Sequence, residues 1–216
     1  GSATNDGGTG MAMALGAKFL NKNGESIGFG GGELANIDKI DLTSFNSLLK
    51  NVTIIAACDV DNPLCGEKGA SYVYGPQKGA TKDMVEILDK NKGIIDYPGA
   101  GAAGGLGAGL LVFLDAQLKR GIDIVIEVTE LEKKVSQADL VITGEGNIDF
   151  QTSFGKTPYG VAKISKKYNK PVIAIAGGIG DGAEELYNKG IDSIFSIVDR
   201  PLSLEEAIRN SAELVE

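Results

Sequence analysis

The sequence predicts an α/β protein with a parallel sheet flanked by helices. Two observations carry this prediction: short apolar, β-branched runs that indicate buried strands, and a regular strand–loop–helix alternation from Asp139 onward. The strands expected in that alternation are Leu140–Ile142, Val172–Ala176 and Ile194–Val198. We therefore place a domain boundary near Asp139, with a mixed α/β, glycine-rich domain over residues 1–138 and part of a parallel-sheet domain over residues 139–216.

The first domain has a less regular pattern. The apolar residues of Met11–Ala17 predict a short helix, and the β-branched run Val52–Cys58 predicts a strand buried on both faces. A helix capped by Thr81 is expected up to Asn91. The run Gly99–Gly109 is almost entirely Gly and Ala, and it leads into an expected buried helix at Leu110–Leu114.

Alternating apolar and acidic residues over Ile122–Val128 predict an edge or half-buried strand. Further helices are indicated by their start signals, which are capping boxes or a proline in the first turn. These starts are at Thr129–Glu132, Thr157–Pro158 and Ser203–Glu206.

Composition narrows the possible functions. The formal net charge is −8 and no basic stripe is visible, which argues against nucleic acid or an anionic membrane as the main partner. Only two cysteines occur, and no apolar run reaches the ~20 residues of a membrane helix, so we expect a soluble, cytoplasmic protein. Histidine is absent, which excludes Ser-His-Asp and Cys-His catalysis and histidine-bound metals within this chain.

Polar loops are expected at the carboxyl ends of the strands, where open parallel sheets bind ligands. They are Asp59–Asn62, Gly144–Asp149 and Gly177–Gly182. In the second loop, Glu145 and Asp149 could hold Mg²⁺ or accept a proton. The alternative is that these two carboxylates only cap turns and a helix.

Glycine is abundant, with 31 copies, and clusters of it indicate sharp turns or backbone that lies close to a ligand. No G-x-x-x-x-G-K-[ST] loop is present, and the G-x-G-x-x-G pattern of Gly99–Gly104 follows no clear strand. Tight helix packing is an equally good explanation for Gly105–Gly109. Lys78 lies in a short glycine loop and could contact a phosphate or a substrate carboxylate, unless it is a solvated surface lysine.

Six segments, taken in order, resemble the glycerate kinase family found in bacteria. They are GSATNDGGTG (1–10), ACDVDNPLCG (57–66), GPQKGAT (75–81), PGAGAAGGLGAG (98–109), LVITGEGNIDFQTSFGKTPYGVA (140–162) and SIFSIVDRPLSLEEAI (193–208). The resemblance covers essentially the whole chain.

The resemblance implies transfer of the γ-phosphoryl group of ATP to D-glycerate, giving 2-phosphoglycerate or 3-phosphoglycerate, with Mg²⁺ as cofactor. It also implies two α/β domains with the active site in the cleft between them. One domain would be a flavodoxin-like or Rossmann-like parallel-sheet domain and the other a mixed α/β domain. The partners would be small molecules, neither nucleic acid nor a membrane, and a homodimer is left open.

The resemblance also supplies candidate site residues, chosen for the needs of phosphoryl transfer. The catalytic candidates are Asp6, Asp59, Asp149 and Lys78. The candidates for binding substrate or nucleotide are Ser2, Thr4, Asn5, Asn62, Gly101, Gly104, Gly144, Glu145, Gly177 and Gly178. The metal-ligand candidates are Glu145 and Asp149.

Two departures from the family pattern suggest a partial chain. Family members are longer and begin with a strand and a D-S-F-K-type loop, and the segment around Asn91 is shorter than expected. An inactive remnant that acts only as a binding module is therefore one alternative. Another is a dinucleotide-binding oxidoreductase, which would need a strand before Gly99 and an acidic residue ~20 positions later.

Overall fold

The computed structural model describes residues 2–46, 49, 51–89 and 96–216, apart from the side chain of Phe154. Gly1 and the shortened segment around Asn91 lie outside the described residues. The chain forms two compact units, Gly1–Gly121 and Ile122–Glu216. The functional domain boundary near Asp139 stays a prediction.

The first unit contains short elements around two small sheets. Strands β1 and β2 pair antiparallel, and β3 and β4 pair parallel. Its elements are α1 (Thr9–Ala14), β1 (Lys18–Leu20), β2 (Lys39–Asp41), β3 (Ile55–Ala57), α2 (Ala70–Tyr74), α3 (Lys82–Asp89), α4 (Ala102–Leu114) and β4 (Gln117–Lys119). Phe19 forms the centre of one core cluster, where Phe113 of α4 meets it edge to face with ring centroids 5.7 Å apart.

In the first unit, a strand and a helix that were predicted to be buried are partly exposed. The strand expected at Val52–Cys58 covers only Ile55–Ala57, and Val52 is 52% exposed, because β3 belongs to a two-stranded sheet with open faces. The helix at Leu110–Leu114 forms, but Val112 is 64% exposed. The buried part of α4 is its glycine-rich stretch, where a Cβ on Gly109 would lie 2.8 Å from the Cα of Gly8.

The second unit is built on a parallel sheet of strand order β5-β6-β7. Its elements are α5 (Gly121–Val128), α6 (Leu131–Gln137), β5 (Val141–Ile148), α7 (Thr157–Lys167), β6 (Val172–Ile179), β7 (Ser193–Ser196), α8 (Leu204–Arg209) and α9 (Ser211–Val215). Ile148, Val172 and Leu186 are fully buried and form its core with small alanines. The predicted parallel sheet is confirmed, with shifted strand ends.

The strand predicted at Ile122–Val128 is wrong, because these residues form helix α5. Ile122 and Ile126, one helical turn apart, both face Gly160 of α7, where a Cβ would lie 2.5 Å from Ile122 Cγ1. The spacing of four, not the alternation, therefore places these apolar side chains on one face. The capping box at Thr129 is also wrong, because the Thr129 hydroxyl donates to the Val125 carbonyl instead, at 2.7 Å.

Three other helix starts are confirmed. The backbone N–H of Met84 donates to Thr81 Oγ1 at 3.3 Å, and Pro158 lies in the first turn of α7. Ser203 and Glu206 form the reciprocal capping box of α8, with distances of 3.0 and 3.3 Å.

Asp192 ties the start of β6 to α7 and makes the stability of the second unit depend on pH. Its carboxylate accepts hydrogen bonds from Lys166 Nζ, at 2.8 and 3.0 Å, and from the Val172 N–H, at 2.7 Å. These bonds, chiefly that of Lys166, lower the pKa of Asp192 from its ordinary 3.8. A depressed carboxyl pKa adds stability above the unfolded-state pKa, and that stability is lost as the pH falls through the folded-state pKa.

We therefore expect Asp192→Asn to lower the free energy of unfolding at pH 7 and to lose this effect as the pH falls below 3.8. Urea titrations of both proteins over a pH series would measure the difference. Asp139→Asn, an exposed carboxylate of the same unit, is the control. A deficit of constant size at every pH would contradict the expectation.

Candidate active site

The first unit contains a cavity of about 600 Å³ that we call the Lys78 cavity. Apart from Ala3 and Ala80, its lining consists of polar residues, glycines and large apolar residues. The polar residues are Thr4, Asn5, Asp6 and Lys78; the glycines are Gly30, Gly31, Gly32, Gly75 and Gly79; the large apolar residues are Phe29, Met84, Ile87 and Leu88. Four of the predicted site residues therefore lie together, although Lys78 is more than 70 positions from the other three.

Lys78 is held against the first loop of the chain. Its Nζ donates to Ser2 Oγ at 2.9 Å and to the Thr4 carbonyl at 2.6 Å. Burial lowers the pKa of Lys78, while the charge of Asp6 acts to raise it. The ammonium group is thus fixed at the wall of a cavity by two protein acceptors, and its third proton can reach a ligand.

Asp6, at the wall of the Lys78 cavity, stabilises the start of α1. Its two carboxylate oxygens accept hydrogen bonds from the backbone N–H groups of Gly8, at 3.0 Å, and Gly10, at 3.1 Å, at the start of α1. Asp6 thereby holds the first loop against the start of α1. Beside it, Asn5 Nδ2 is buried and has no acceptor among the described residues.

The predicted glycines of α4 contact protein backbone. A Cβ on Gly104 would lie 2.0 Å from the Thr4 carbonyl oxygen, and one on Gly101 would lie 2.1 Å from the Pro63 carbonyl oxygen. Gly104 also has φ +71° and accepts a hydrogen bond from the Gly7 N–H at 3.1 Å. Gly104 therefore permits the close approach of the first loop to α4, and Gly101 permits that of the backbone at Asn62 and Pro63. Neither glycine lines the Lys78 cavity.

Asp59 and Asn62 follow β3 and lie outside the lining of the Lys78 cavity. Asp59 Oδ1 accepts a hydrogen bond from the Gly121 N–H at 2.8 Å. The amide of Asn62 is used within the protein, because it donates to the Lys68 carbonyl at 2.8 Å and accepts from the Tyr74 hydroxyl at 2.6 Å. Asn62 thereby fixes the loop that leads into α2.

In the second unit, β5 and β6 run further than expected. The predicted loop at Gly144–Asp149 is strand up to Ile148, and Gly177 and Gly178 also belong to a strand, because the parallel pairing continues through the glycines. These residues line a cavity of about 640 Å³, which we call the sheet cavity. It contains Gly144, Glu145, Gly177 and Gly178.

The sheet cavity is apolar except at Glu145 and a few neutral polar groups. Its walls include Ile142, Ile175, Leu204 and Ile208. Glu145 is half-buried, and the lining within the described residues contains no lysine or arginine. The cavity would therefore disfavour a group with several negative charges.

Asp149 caps the 3₁₀ helix Phe150–Phe154 and does not line the sheet cavity. Its Oδ1 accepts from the Gln151 N–H at 2.9 Å, and its Oδ2 accepts from Asn147 Nδ2 at 3.0 Å. Each oxygen of Asp149 thus already accepts one hydrogen bond, and a metal site at Glu145 and Asp149 stays a prediction. No group of three His, Cys, Asp or Glu that could hold a metal occurs in the part of the chain that the structure describes.

Sequence reasoning missed the apolar wall of the Lys78 cavity. The spacing of Met84, Ile87 and Leu88 in α3 predicts an inward apolar face, and the same spacing serves a cavity wall. Met84 is 52% exposed and Phe29 is 85% exposed, which no sequence pattern signalled. In the described residues, no helix combines the length and the hydropathy that crossing a membrane requires.

Several known proteins that are similar to this chain are glycerate kinases. A glycerate kinase from Halalkalibacterium halodurans is 52% identical over 229 residues, with 100% of this chain and 60% of that protein covered. A glycerate 2-kinase from Escherichia coli is 49% identical, with 98% of this chain and 59% of that protein covered. The chain therefore spans about 60% of the length of these relatives.

A solved structure is also similar to this chain. The crystal structure of a putative glycerate kinase 2 from Salmonella typhimurium LT2 matches with a TM-score of 0.84 at 47% identity, over 100% of this chain and 59% of that one. The family model described as "Glycerate kinase family" matches residues 1–216. The chain belongs to the glycerate kinase family.

Proposed function

We propose that this chain forms part of a kinase that transfers the γ-phosphoryl group of ATP to a hydroxyl of D-glycerate. The observation that carries the proposal is the similarity to glycerate kinases along all 216 residues, at about half identity. The name of the Escherichia coli relative, a glycerate 2-kinase, favours 2-phosphoglycerate as the product over 3-phosphoglycerate. A cytoplasmic location and a homodimer stay predictions.

Phosphoryl transfer needs positioned reactants and cations that neutralise the developing charge. Lys78 supplies a cation that is already oriented, because Ser2 and Thr4 hold its ammonium group at the cavity wall. The glycine run at Gly101 and Gly104 contacts protein backbone, so the geometry does not favour the oxidoreductase alternative.

Mg²⁺ accompanies ATP in this chemistry and supplies charge neutralisation at the phosphates when bound. Of the two predicted ligands, Asp149 is the less open, because each of its oxygens already accepts a hydrogen bond. Glu145 presents a half-buried carboxylate at the sheet cavity, and we keep it as the metal-ligand candidate.

Asp59 is the carboxylate that we propose as the base for the substrate hydroxyl. Asp6 and Asp149 each accept hydrogen bonds on both oxygens, whereas Asp59 accepts one, from Gly121, and is exposed. A base must have an oxygen that can reach the proton it removes.

We expect Asp59→Asn to lower kcat by about 10²-fold, because general-base catalysis contributes about that much, while the amide oxygen can still accept from Gly121. Asp61→Asn, two residues away on an exposed pair with Arg120, is the matched control. The assignment is wrong if Asp59→Asn keeps kcat while Asp149→Asn, in folded protein, loses it.

A coupled ADP-release assay with ATP, Mg²⁺ and D-glycerate tests the proposed function. We expect ADP formation that depends on D-glycerate and disappears when either ATP or the acid is omitted. Lactate, which lacks the second hydroxyl, is a useful comparison acceptor. If the folded protein releases no ADP on addition of D-glycerate, the proposed glycerate kinase activity is wrong.

A further inference from the structure

The two cavities differ in charge in a way that bears on where a nucleotide binds. The Lys78 cavity contains a fixed ammonium group and the carboxylate of Asp6, whose two oxygens accept hydrogen bonds from the Gly8 and Gly10 N–H groups. The sheet cavity contains the carboxylate of Glu145 and no cation among its described lining. Triphosphate is a polyanion that lysine and backbone N–H groups bind and that a carboxylate repels. Of these two cavities, the Lys78 cavity is therefore the one that offers the phosphates a cation of the protein itself.

The volume of the Lys78 cavity is large enough for a nucleotide, although the sheet cavity is of similar volume. The Lys78 cavity's volume of about 600 Å³ falls within the roughly 300–1,000 Å³ of pockets that hold drug-sized ligands. A three-carbon acid would leave most of this space empty, whereas a nucleoside triphosphate would use it.

The apolar wall is the second observation. Phe29, Met84 and Ile87 expose large apolar surfaces at the cavity, at 85%, 52% and 50%. D-Glycerate carries polar groups on every carbon and gains nothing from such a wall. A purine base offers an apolar ring face that stacks on an aromatic ring and packs against methionine and isoleucine.

Gly32 is the third observation. A Cβ on Gly32 would meet no protein atom within 4 Å, and its φ lies outside the left-handed range, so neither packing nor backbone conformation requires glycine there. Gly101 and Gly104 are different, because protein backbone fills the space that a side chain would need. Gly32 lines the cavity, and no contact within the protein explains why it is glycine. A ligand that lies close to the backbone at this position would explain it.

We propose that the Lys78 cavity is the nucleotide site of the kinase, with the adenine ring against Phe29, Met84 and Ile87 and the phosphates toward Lys78. The proposal rests on the proposed kinase function and names which substrate this cavity takes. Gly32 would lie beside the bound nucleotide, and D-glycerate would bind elsewhere.

Isothermal titration of the full chain with three probes tests the proposal: ATP, adenosine and tripolyphosphate. We expect Lys78→Met to weaken ATP and tripolyphosphate by about tenfold or more and to leave adenosine unchanged. Ile87→Asn should weaken ATP and adenosine by about tenfold and leave tripolyphosphate unchanged. Val112→Asn, at another exposed apolar position that lies outside this cavity, should change none of them.

Gly32→Ala keeps the test decisive if Ile87→Asn fails to fold, because the added methyl group meets no protein atom. We expect unchanged thermal stability and at least fivefold weaker ATP binding. Unchanged ATP affinity in both Gly32→Ala and Ile87→Asn would overturn the proposal, as would D-glycerate that competes with adenosine for this cavity.

Turnover separates this proposal from the kinase assignment. If the wild type phosphorylates D-glycerate but Ile87→Asn and Gly32→Ala keep the KM for ATP, the nucleotide site is wrong and the kinase assignment stands. If ATP binding follows the expected pattern without turnover of D-glycerate, the nucleotide site stands and the acceptor is wrong.

Discussion

Replacing Lys78 by methionine is expected to lower kcat/KM for ATP by about 10³-fold, because a fixed cation at the phosphates contributes more in the transition state than in the bound ground state. Methionine keeps the apolar stem and removes the charge and the hydrogen bonds to Ser2 and Thr4. Steady-state kinetics with varied ATP would measure the loss.

Lys68→Met is the matched control, since Lys68 is an exposed lysine of the same unit, and its kcat/KM should stay within about twofold of the wild type. Because burial lowers the pKa of Lys78, the alkaline fall of kcat/KM should begin below the ordinary lysine value of 10.5. A loss of equal size in Lys68→Met would mean that net charge, not Lys78, is responsible.

Gly104→Ala is expected to lower the free energy of unfolding by about 3 kcal/mol or more, which is the largest stability effect that we predict. The new Cβ would lie 2.0 Å from the Thr4 carbonyl oxygen and 2.6 Å from the Asn5 Cα, and neither backbone atom can move without displacing the first loop. The residue would also keep a left-handed φ of +71°, which costs an L-residue about 1–2 kcal/mol by itself.

Gly66→Ala separates the cost of the left-handed φ from the cost of the steric clash. Gly66 has φ +89°, but its Cβ would meet no atom within 4 Å. It should lose only the conformational part, about 1 kcal/mol. Urea titration of both variants would give the difference. Equal losses would show that the contact between α4 and the first loop is not tight.

The parallel sheet of the second unit could be predicted because its strands are apolar and β-branched. Their ends could not, since β5 and β6 continue through Gly144 and Gly177, and glycine in a sequence is the usual mark of a loop. Helix α5 was missed because Ile122–Val128 satisfies both periods, and only contact with Gly160 of α7 decides between them.

For the candidate site too, the sequence predicted residues but not their contacts. Sequence motifs predicted Lys78 and the first loop as parts of the site. The contact of Lys78 with Ser2 could not be predicted, because it joins residues 76 positions apart and depends on the tertiary fold. Gly101 and Gly104 were predicted to meet a ligand, whereas the structure fills their space with protein backbone. A glycine in a sequence indicates that something lies close to the backbone, but the sequence does not show whether it is a ligand or another part of the protein.

Phosphorus NMR of the reaction of ATP, Mg²⁺ and D-glycerate tests the central proposal most directly, because it observes the bond that forms. The account predicts a phosphomonoester signal that grows with ADP and matches 2-phosphoglycerate by its coupling to a single carbon-bound proton. ADP and inorganic phosphate without a phosphoglycerate signal would contradict it, as would no reaction from the folded protein.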